Sequence, residues 1–206
     1  DTLPNPLFGG VTDKAIEWIK NYNEQFLAVV SFINPHPPYA APFPYSEMYD
    51  GHNFDKPKGN CWAINGKLID DSDWDIIKSQ YYGNVSLIDY NVGRLLECVG
   101  DDVIVVFTSD HGDILGDHNL FSKGLYAYEG NTRVPLILKN KEMGPSKYNH
   151  IVQSIDILPT LCNMVGINTN NRMQGRNLTK AIVNNKKVND YALSMIGHSD
   201  RIRMIV

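Results

Sequence analysis

Apolar positions fall in separate blocks whose spacing changes from helical to strand-like and back. After Thr12, residues 13–23 place Ile16, Ile19 and Tyr22 on one face. That spacing predicts a helix capped by Thr12, with Val11 and Ile16 forming a staple around the cap. Phe26 to Ile33 is apolar almost throughout and of strand length, as in a strand buried on both faces. It stops at Asn34-Pro35-His36-Pro37-Pro38-Tyr39, where proline removes the ladder donor. Residues 40–70 are rich in Pro, Gly, Asn and aromatics and predict a long ordered loop of the functional kind.

Asp71-Ser72-Asp73 opens a long helical pattern. Trp74, Ile77, Tyr81, Val85, Ile88, Val92, Leu95 and Val99 step by three or four residues, and Gly100 follows, giving one apolar stripe and a glycine stop. Val103 to Thr108 is β-branched and predicts a second buried strand. A polar, glycine-containing loop spans residues 109–133, and Val134 to Lys139 predicts a third strand. Ile157 to Val165 reads as a short helix capped by Asp156, with Pro159 in its first turn and Gly166 at its end. Tyr191 to Ile196 and Ile202 to Val206 are two further strand candidates. Helices alternating with buried strands predict an α/β domain with a largely parallel sheet.

The 206 residues suffice for one domain with a sizeable core. A formal net charge of -4 without clustered Lys and Arg argues against a nucleic-acid partner. No apolar stretch is long enough to cross a bilayer. Cys61, Cys98 and Cys162 are widely spaced and odd in number, so they form neither a disulfide framework nor a metal pair. They tilt the expected compartment slightly toward the cytoplasm without fixing it. Cys98 and Cys162 sit in apolar helical patterns and are expected as packed thiols. Asn84-Val85-Ser86 and Asn177-Leu178-Thr179 match the glycosylation sequon, which matters only in a secreted chain.

Ligands of open α/β sheets bind beyond the carboxyl ends of strands. Two polar clusters fall there: Asn34 to His36, and Ser109 to Asp113. In the second, Asp110 offers a hard anionic oxygen and His111 an imidazole nitrogen, a pair suited to a divalent cation. Gly112 permits a sharp turn. Lys123 could neutralise an anionic substrate as a compact point charge. Spacing alone leaves other readings open: the Asp-His pair would serve a cap or a turn, and His36 and Lys123 would serve as ordinary loop residues. Asp71, Asp73 and Asp75 begin like a calcium loop, but Ile76 stands where glycine is needed. There is no Gly-x-Ser-x-Gly elbow, P-loop, His-Glu-x-x-His or dinucleotide fingerprint.

The motifs fall in a recognisable order. Phe107-Thr108-Ser109-Asp110-His111-Gly112-Asp113 is followed by Leu115-Gly116-Asp117-His118, Lys123, Tyr128-Glu129-Gly130 and Arg133-Val134-Pro135-Leu136-Ile137. Pro35-His36-Pro37-Pro38-Tyr39, Tyr82-Gly83-Asn84-Val85-Ser86, Asp156-Ile157-Leu158-Pro159 and Gln174-Gly175-Arg176-Asn177-Leu178 keep the same order. This set resembles the sulfatase family of the alkaline phosphatase superfamily.

The resemblance implies a metal-dependent sulfuric ester hydrolase of formylglycine type, or a phosphonate or phosphate ester hydrolase on the same scaffold. A non-catalytic domain or fragment is the third reading. Asp110 and His111 would be metal ligands, for Ca2+ or alternatively Mn2+ or Mg2+. Their Asp-His form matches choline-sulfatase-like, iduronate-sulfatase-like and phosphonate monoester hydrolase-like members. His36 and Lys123 would contact the sulfate, with His36 near the leaving oxygen, and His118 would join them. Tyr128, Glu129 and Arg133 would brace the loop. The substrate would be a small-molecule or saccharide sulfate ester, and self-association stays open.

The family's Cys/Ser-x-Pro-x-Arg nucleophile motif is absent from the sequence, as are its paired aspartates at the end of a first strand. The resemblance therefore implies part of an alkaline-phosphatase-like sheet flanked by helices, with N-terminal strands missing. Residues 1–196 would be the central and C-terminal portion of the catalytic domain. Residues 197–206 would begin a small C-terminal strand subdomain.

Overall fold

A computed structural model describes residues 6–56, 63–64, 67–169, 172–195 and 202–205. Two compact units divide it. The first comprises Asp1–Gly124 and Tyr128–Asn140; the second comprises Leu125–Ala127 and Lys141–Val206.

In the first unit, helix α1 (Pro6–Asn21) packs on helix α2 (Asp71–Val99). Asp13 of α1 pairs with Arg94 of α2 at 2.6 Å. Helix α1 begins before the expected cap, so Thr12 lies inside it and is fully buried. Val11, expected in the staple, is instead exposed. Helix α2 starts as its sequence predicts: the Asp70 side chain accepts the Asp73 N–H, satisfying an orphan donor of the first turn. Gly100 ends it at φ 70°, a backbone conformation glycine adopts without steric cost.

The buried face of α2 departs from the expected apolar stripe. Trp74 and Leu87 are buried, but so are Gly83, Asn84 and Asn91, while Val85 is exposed. Asn91 bonds within the helix, to Leu87 O and Arg94, whereas Asn84 and Gln80 hold neighbouring chain. Asn34 Nδ2 donates to Asn84 Oδ1 at 2.6 Å. The Ala41 N–H donates to Gln80 Oε1, and Gln80 Nε2 donates to Ser46 O, each at 2.9 Å. Gly83 leaves no room for a side chain, because a Cβ there would overlap the Tyr45 carbonyl. The segment 34–46 is thereby clamped to α2 by part-buried hydrogen bonds, which are costly to leave unmade.

Strands β1 (Ala63–Ile64) and β2 (Lys67–Leu68) pair inside the expected long loop. Strand β3 (Val105–Thr108) pairs antiparallel with β4 (Leu136–Lys139), Val105 facing Lys139 and Thr108 facing Leu136. The short helix α3 (Glu129–Thr132) lies in the connection between them.

In the second unit, helix α4 (Ile157–Met164) follows a 3-10 turn at Ser154–Asp156. Asp156 stands at the N-cap position of α4, as expected, but its side chain makes no capping bond there. Its carboxylate closes a capping box around that turn, accepting the Gln153 N–H at 3.0 Å. It also accepts the Arg176 N–H at 2.8 Å and Asn189 Nδ2 at 2.7 Å. Helix α5 (Thr179–Asn184) has no counterpart among the sequence expectations. Strands β5 (Leu193–Met195) and β6 (Ile202–Ile205) pair antiparallel.

Two expectations fail here. Among the described residues the ladders are three antiparallel pairs, where a mostly parallel sheet was expected. Parallel strands need a crossover, usually a helix. The connection from β3 to β4 holds only short helical pieces, a 3-10 turn at Asp117–Asn119 and the four-residue α3, and turns back on itself. Residues 26–33 are extended but form no ladder, and Leu27, Val29 and Ile33 are 81%, 86% and 83% exposed. Without a strand neighbour among the described residues, an apolar run has no sheet to bury it. Cys98 and Cys162 are free and only half-buried, and Cys61 lies outside the described residues. No described helix is long and apolar enough to cross a membrane.

Candidate active site

All five candidate side chains fall in the first unit, at the carboxyl end of β3 and in two segments that meet there. Asp110 follows β3 by two residues and its side chain is 84% exposed. Its Oδ1 accepts the His111 N–H at 2.9 Å and the Ser109 hydroxyl at 3.4 Å. Partial burial pushes the Asp110 carboxyl up. The His111 N–H, the adjacent imidazole and the Ser109 hydroxyl outweigh it, so the group lies below its usual range. It is a carboxylate near neutral pH.

His111 lies beside it, with Nε2 at 3.5 Å from Asp110 Oδ2. Its Nδ1 is 2.8 Å from the Gly112 carbonyl oxygen. A carbonyl only accepts, so Nδ1 carries the hydrogen and donates. Nε2 is then the ring nitrogen left toward the carboxylate, and it is the atom through which the unprotonated ring would ligate a cation. Two electron-rich atoms facing each other suit a divalent cation between or beside them. A backbone carbonyl holding the other ring nitrogen is the common orienting partner of a ligating histidine. The donor set therefore fits a metal, though only as part of a shell: among the described residues no group of three His, Cys, Asp or Glu side chains converges.

The backbone around the pair is tightly specified. A Cβ on Gly112 would overlap the Gly130 carbonyl oxygen. The Gly112 N–H donates to Asn131 O at 2.8 Å, and Asn131 Nδ2 donates to Lys123 O. Ile114 and Gly116 are buried, and their N–H groups donate to Ser122 O and Leu120 O. Leu115, His118, Asn119 and Ser122 all have positive φ. That conformation is uncommon outside glycine and persists only where surrounding structure enforces it.

Lys123 and His118 are exposed on this loop, and the His118 ring stacks on Tyr128 with centroids 3.8 Å apart. Glu129 and Arg133 form an exposed ion pair one helical turn apart, at 3.4 Å. His36 is exposed, and its Nδ1 donates to Pro37 O at 2.7 Å. Among the described residues no hydrogen bond or ion pair joins the Lys123 ammonium, or the His36 and His118 rings, to the Asp110–His111 pair. What joins their segments is Asp113. It was not singled out from the sequence, although its Asx turn onto Leu115 N–H is a readable signal. Asn131 also escaped, and Asn84 was marked only as a sequon and a motif residue, not for the bond it makes to Asn34.

The sulfatase family model matches residues 9–167. The chain belongs to the sulfatase family. An arylsulfatase of Clostridium perfringens is 30% identical over 199 residues, covering 84% of this chain and 41% of that protein. A multifunctional alkaline phosphatase superfamily protein of Trinickia caryophylli is 27% identical over 212 residues, covering 85% and 41%. Among solved structures, the phosphonate monoester hydrolase of Silicibacter pomeroyi superposes with a TM-score of 0.76 at 24% identity, over 91% of this chain and 44% of that one. That likeness shows the fold: an α/β arrangement related to the alkaline phosphatase and sulfatase superfamily. The chain spans about two-fifths of the length of these curated relatives.

Proposed function

We propose that the chain supplies part of the active site of a metal-dependent hydrolase acting on anionic sulfate or phosphorus monoesters. The observation that carries the reading is the locked His111 tautomer, with Nε2 facing the Asp110 carboxylate at 3.5 Å. In this reading Asp110 and His111 hold a divalent cation, Ca2+ first and Mn2+ or Mg2+ as alternatives. A metal supplies charge stabilisation at the transferring group. Lys123 and His118 bind the oxyanion from the loop after β3. His36 serves the leaving oxygen. Its Nδ1–H is spent on Pro37 O, so Nε2 donates a proton only from the doubly protonated ring.

Both substrate classes are tetrahedral oxyanions, and a cation with a lysine suits either. The arylsulfatase relative favours a sulfuric ester of a small molecule or saccharide. The multifunctional alkaline phosphatase superfamily relative leaves a phosphorus ester as the alternative. The sequence lacks a Cys/Ser-x-Pro-x-Arg motif, so the formylglycine nucleophile and the remaining metal ligands come from outside these residues. The exposed apolar run 26–33 is consistent with further strands covering it.

Titration calorimetry with Ca2+ and Mn2+ tests the reading. One site is expected in the unaltered chain, lost in Asp110→Ala and in His111→Ala. Equal binding by all three proteins sinks it. The purified chain alone should leave p-nitrophenyl sulfate and p-nitrophenyl phenylphosphonate untouched, and turnover of either would refute the missing nucleophile.

A further inference from the structure

Asp113 is the one described side chain hydrogen-bonded to the segment of His36 and to the approach to Lys123. Its Oδ1 accepts the Leu115 N–H at 2.8 Å and the Ser122 N–H at 3.0 Å. Its Oδ2 accepts the Tyr39 hydroxyl at 2.8 Å. Ser122 directly precedes Lys123. Tyr39 closes the segment that carries His36, whose other end is held by Asn34 on buried Asn84. Asp113 itself follows His111 by two residues. Three stretches of chain distant in sequence thus converge on one carboxylate.

We propose that Asp113 is a positioning residue that sets the His36 and Lys123 segments onto the Asp110–His111 strand end as one assembly. The inference rests on the hydrolase reading above. Asp113 contacts neither cation nor anion. It acts through Tyr39 and Ser122, so its effect falls on the oxyanion side of the site and spares the metal side. The loop has little freedom to absorb a change at Asp113. Gly112 is closed in by Gly130, and four non-glycine residues from Leu115 to Ser122 hold positive φ. A displaced carboxylate therefore moves Ser122, and with it the base of Lys123. The Tyr39 ring, packed edge-on against Tyr81 at 5.9 Å, keeps its place without the hydroxyl. Tyr39→Phe thus removes the hydroxyl's bonds to Asp113 and to the Ser122 backbone and leaves the ring packing.

The test uses the full chain with Mn2+ and inorganic sulfate as probes. Tyr39→Phe and Asp113→Asn should keep the Mn2+ dissociation constant within about twofold of the unaltered chain, as expected for sites that do not share partners. Sulfate binding to the Mn2+-loaded chain should weaken about tenfold in each. Residue-resolved hydrogen exchange gives the second measurement. In Tyr39→Phe the His36 and Ala40 amides should exchange faster while Leu115 and Ser122 keep their protection. Unchanged sulfate affinity in both variants, or unchanged exchange at His36 and Ala40 in Tyr39→Phe, overturns the positioning role. Failure of the unaltered chain to bind Mn2+ overturns the hydrolase reading instead, and is seen before any variant is made.

Discussion

Asp113 and Asp156 use the same device in the two units of the chain, with different consequences. Each carboxylate accepts three hydrogen bonds, and each gathers segments far apart in sequence. Asp156 is 1% exposed, with Asn189 at 3% and Thr160 at 4% around it. Its donors are two backbone N–H groups and one amide. A Cβ on Gly175 would overlap the Ile155 carbonyl. None of the candidate site residues belongs to that unit. Asp113 is half-buried, beside an exposed carboxylate and an oriented imidazole. A many-donor aspartate is therefore not a mark of function by itself. Its neighbours decide: the buried one fastens a fold, and the half-buried one fastens a site.

That contrast breaks most easily at Asp156. Asp156→Ala leaves three donors, one buried and two part-buried, without an acceptor and should destabilise the chain by roughly 3–5 kcal/mol, read from the midpoint of chemical denaturation. An effect below that of Asp113→Ala would reverse the assignment. Asp113→Ala comes next, at about 2 kcal/mol, because water can replace part of what a half-buried carboxylate accepts. Its sharper consequence is weakened sulfate binding, which Asp156→Asn should leave alone.

The third effect depends on pH. Burial first, then the bond donated to Asp113, holds the Tyr39 phenol above its usual value. Tyr81 is raised too, by burial first and then by the Asp113 charge. A raised phenol keeps its proton in the folded state after the unfolded chain has lost it. Its stabilisation is whole below about pH 10 and drains as pH rises further. The unaltered chain should lose stability above that point more steeply than Tyr39→Phe. Identical alkaline slopes would detach Tyr39 from Asp113. The smallest effect belongs to Lys56 and Asp75, paired at 2.7 Å on the surface. The Lys56 bond holds the Asp75 carboxyl below its usual range, so that contribution is present above the ordinary carboxylate range and is lost as pH falls. Lys56→Ala should shift the denaturation midpoint least of the variants named here, measured in the same denaturation.

The sequence made helix α2 legible from both ends, because Asp70 and Gly100 act locally. It made Asp110 and His111 legible because their chemistry lies in two adjacent side chains. It misled where the outcome depends on a partner. Residues 26–33 and 103–108 are both apolar runs of strand length. Only the second contains a strand, because β4 returns to pair with it. Periodicity on α2 pointed to Val85 and passed over Asn84 and Asn91. The segment that packs there brings carbonyls and amides, so amide side chains are what it buries. Asp113 stayed hidden because its partners lie at Tyr39 and Ser122, a pairing no local pattern announces.

The clamp at Asn84 also decides which sequon is open to a sugar. Asn84 is 1% exposed and its amide is engaged with Asn34 and Gln80. Asn177 is exposed and, among the described residues, its side chain bonds within its own turn to Thr179. In a glycosylating compartment, the folded protein would carry its glycan at Asn177. A glycan on Asn84 would mark chains modified before segment 34–46 had docked, and would bar them from ever bringing His36 to its place.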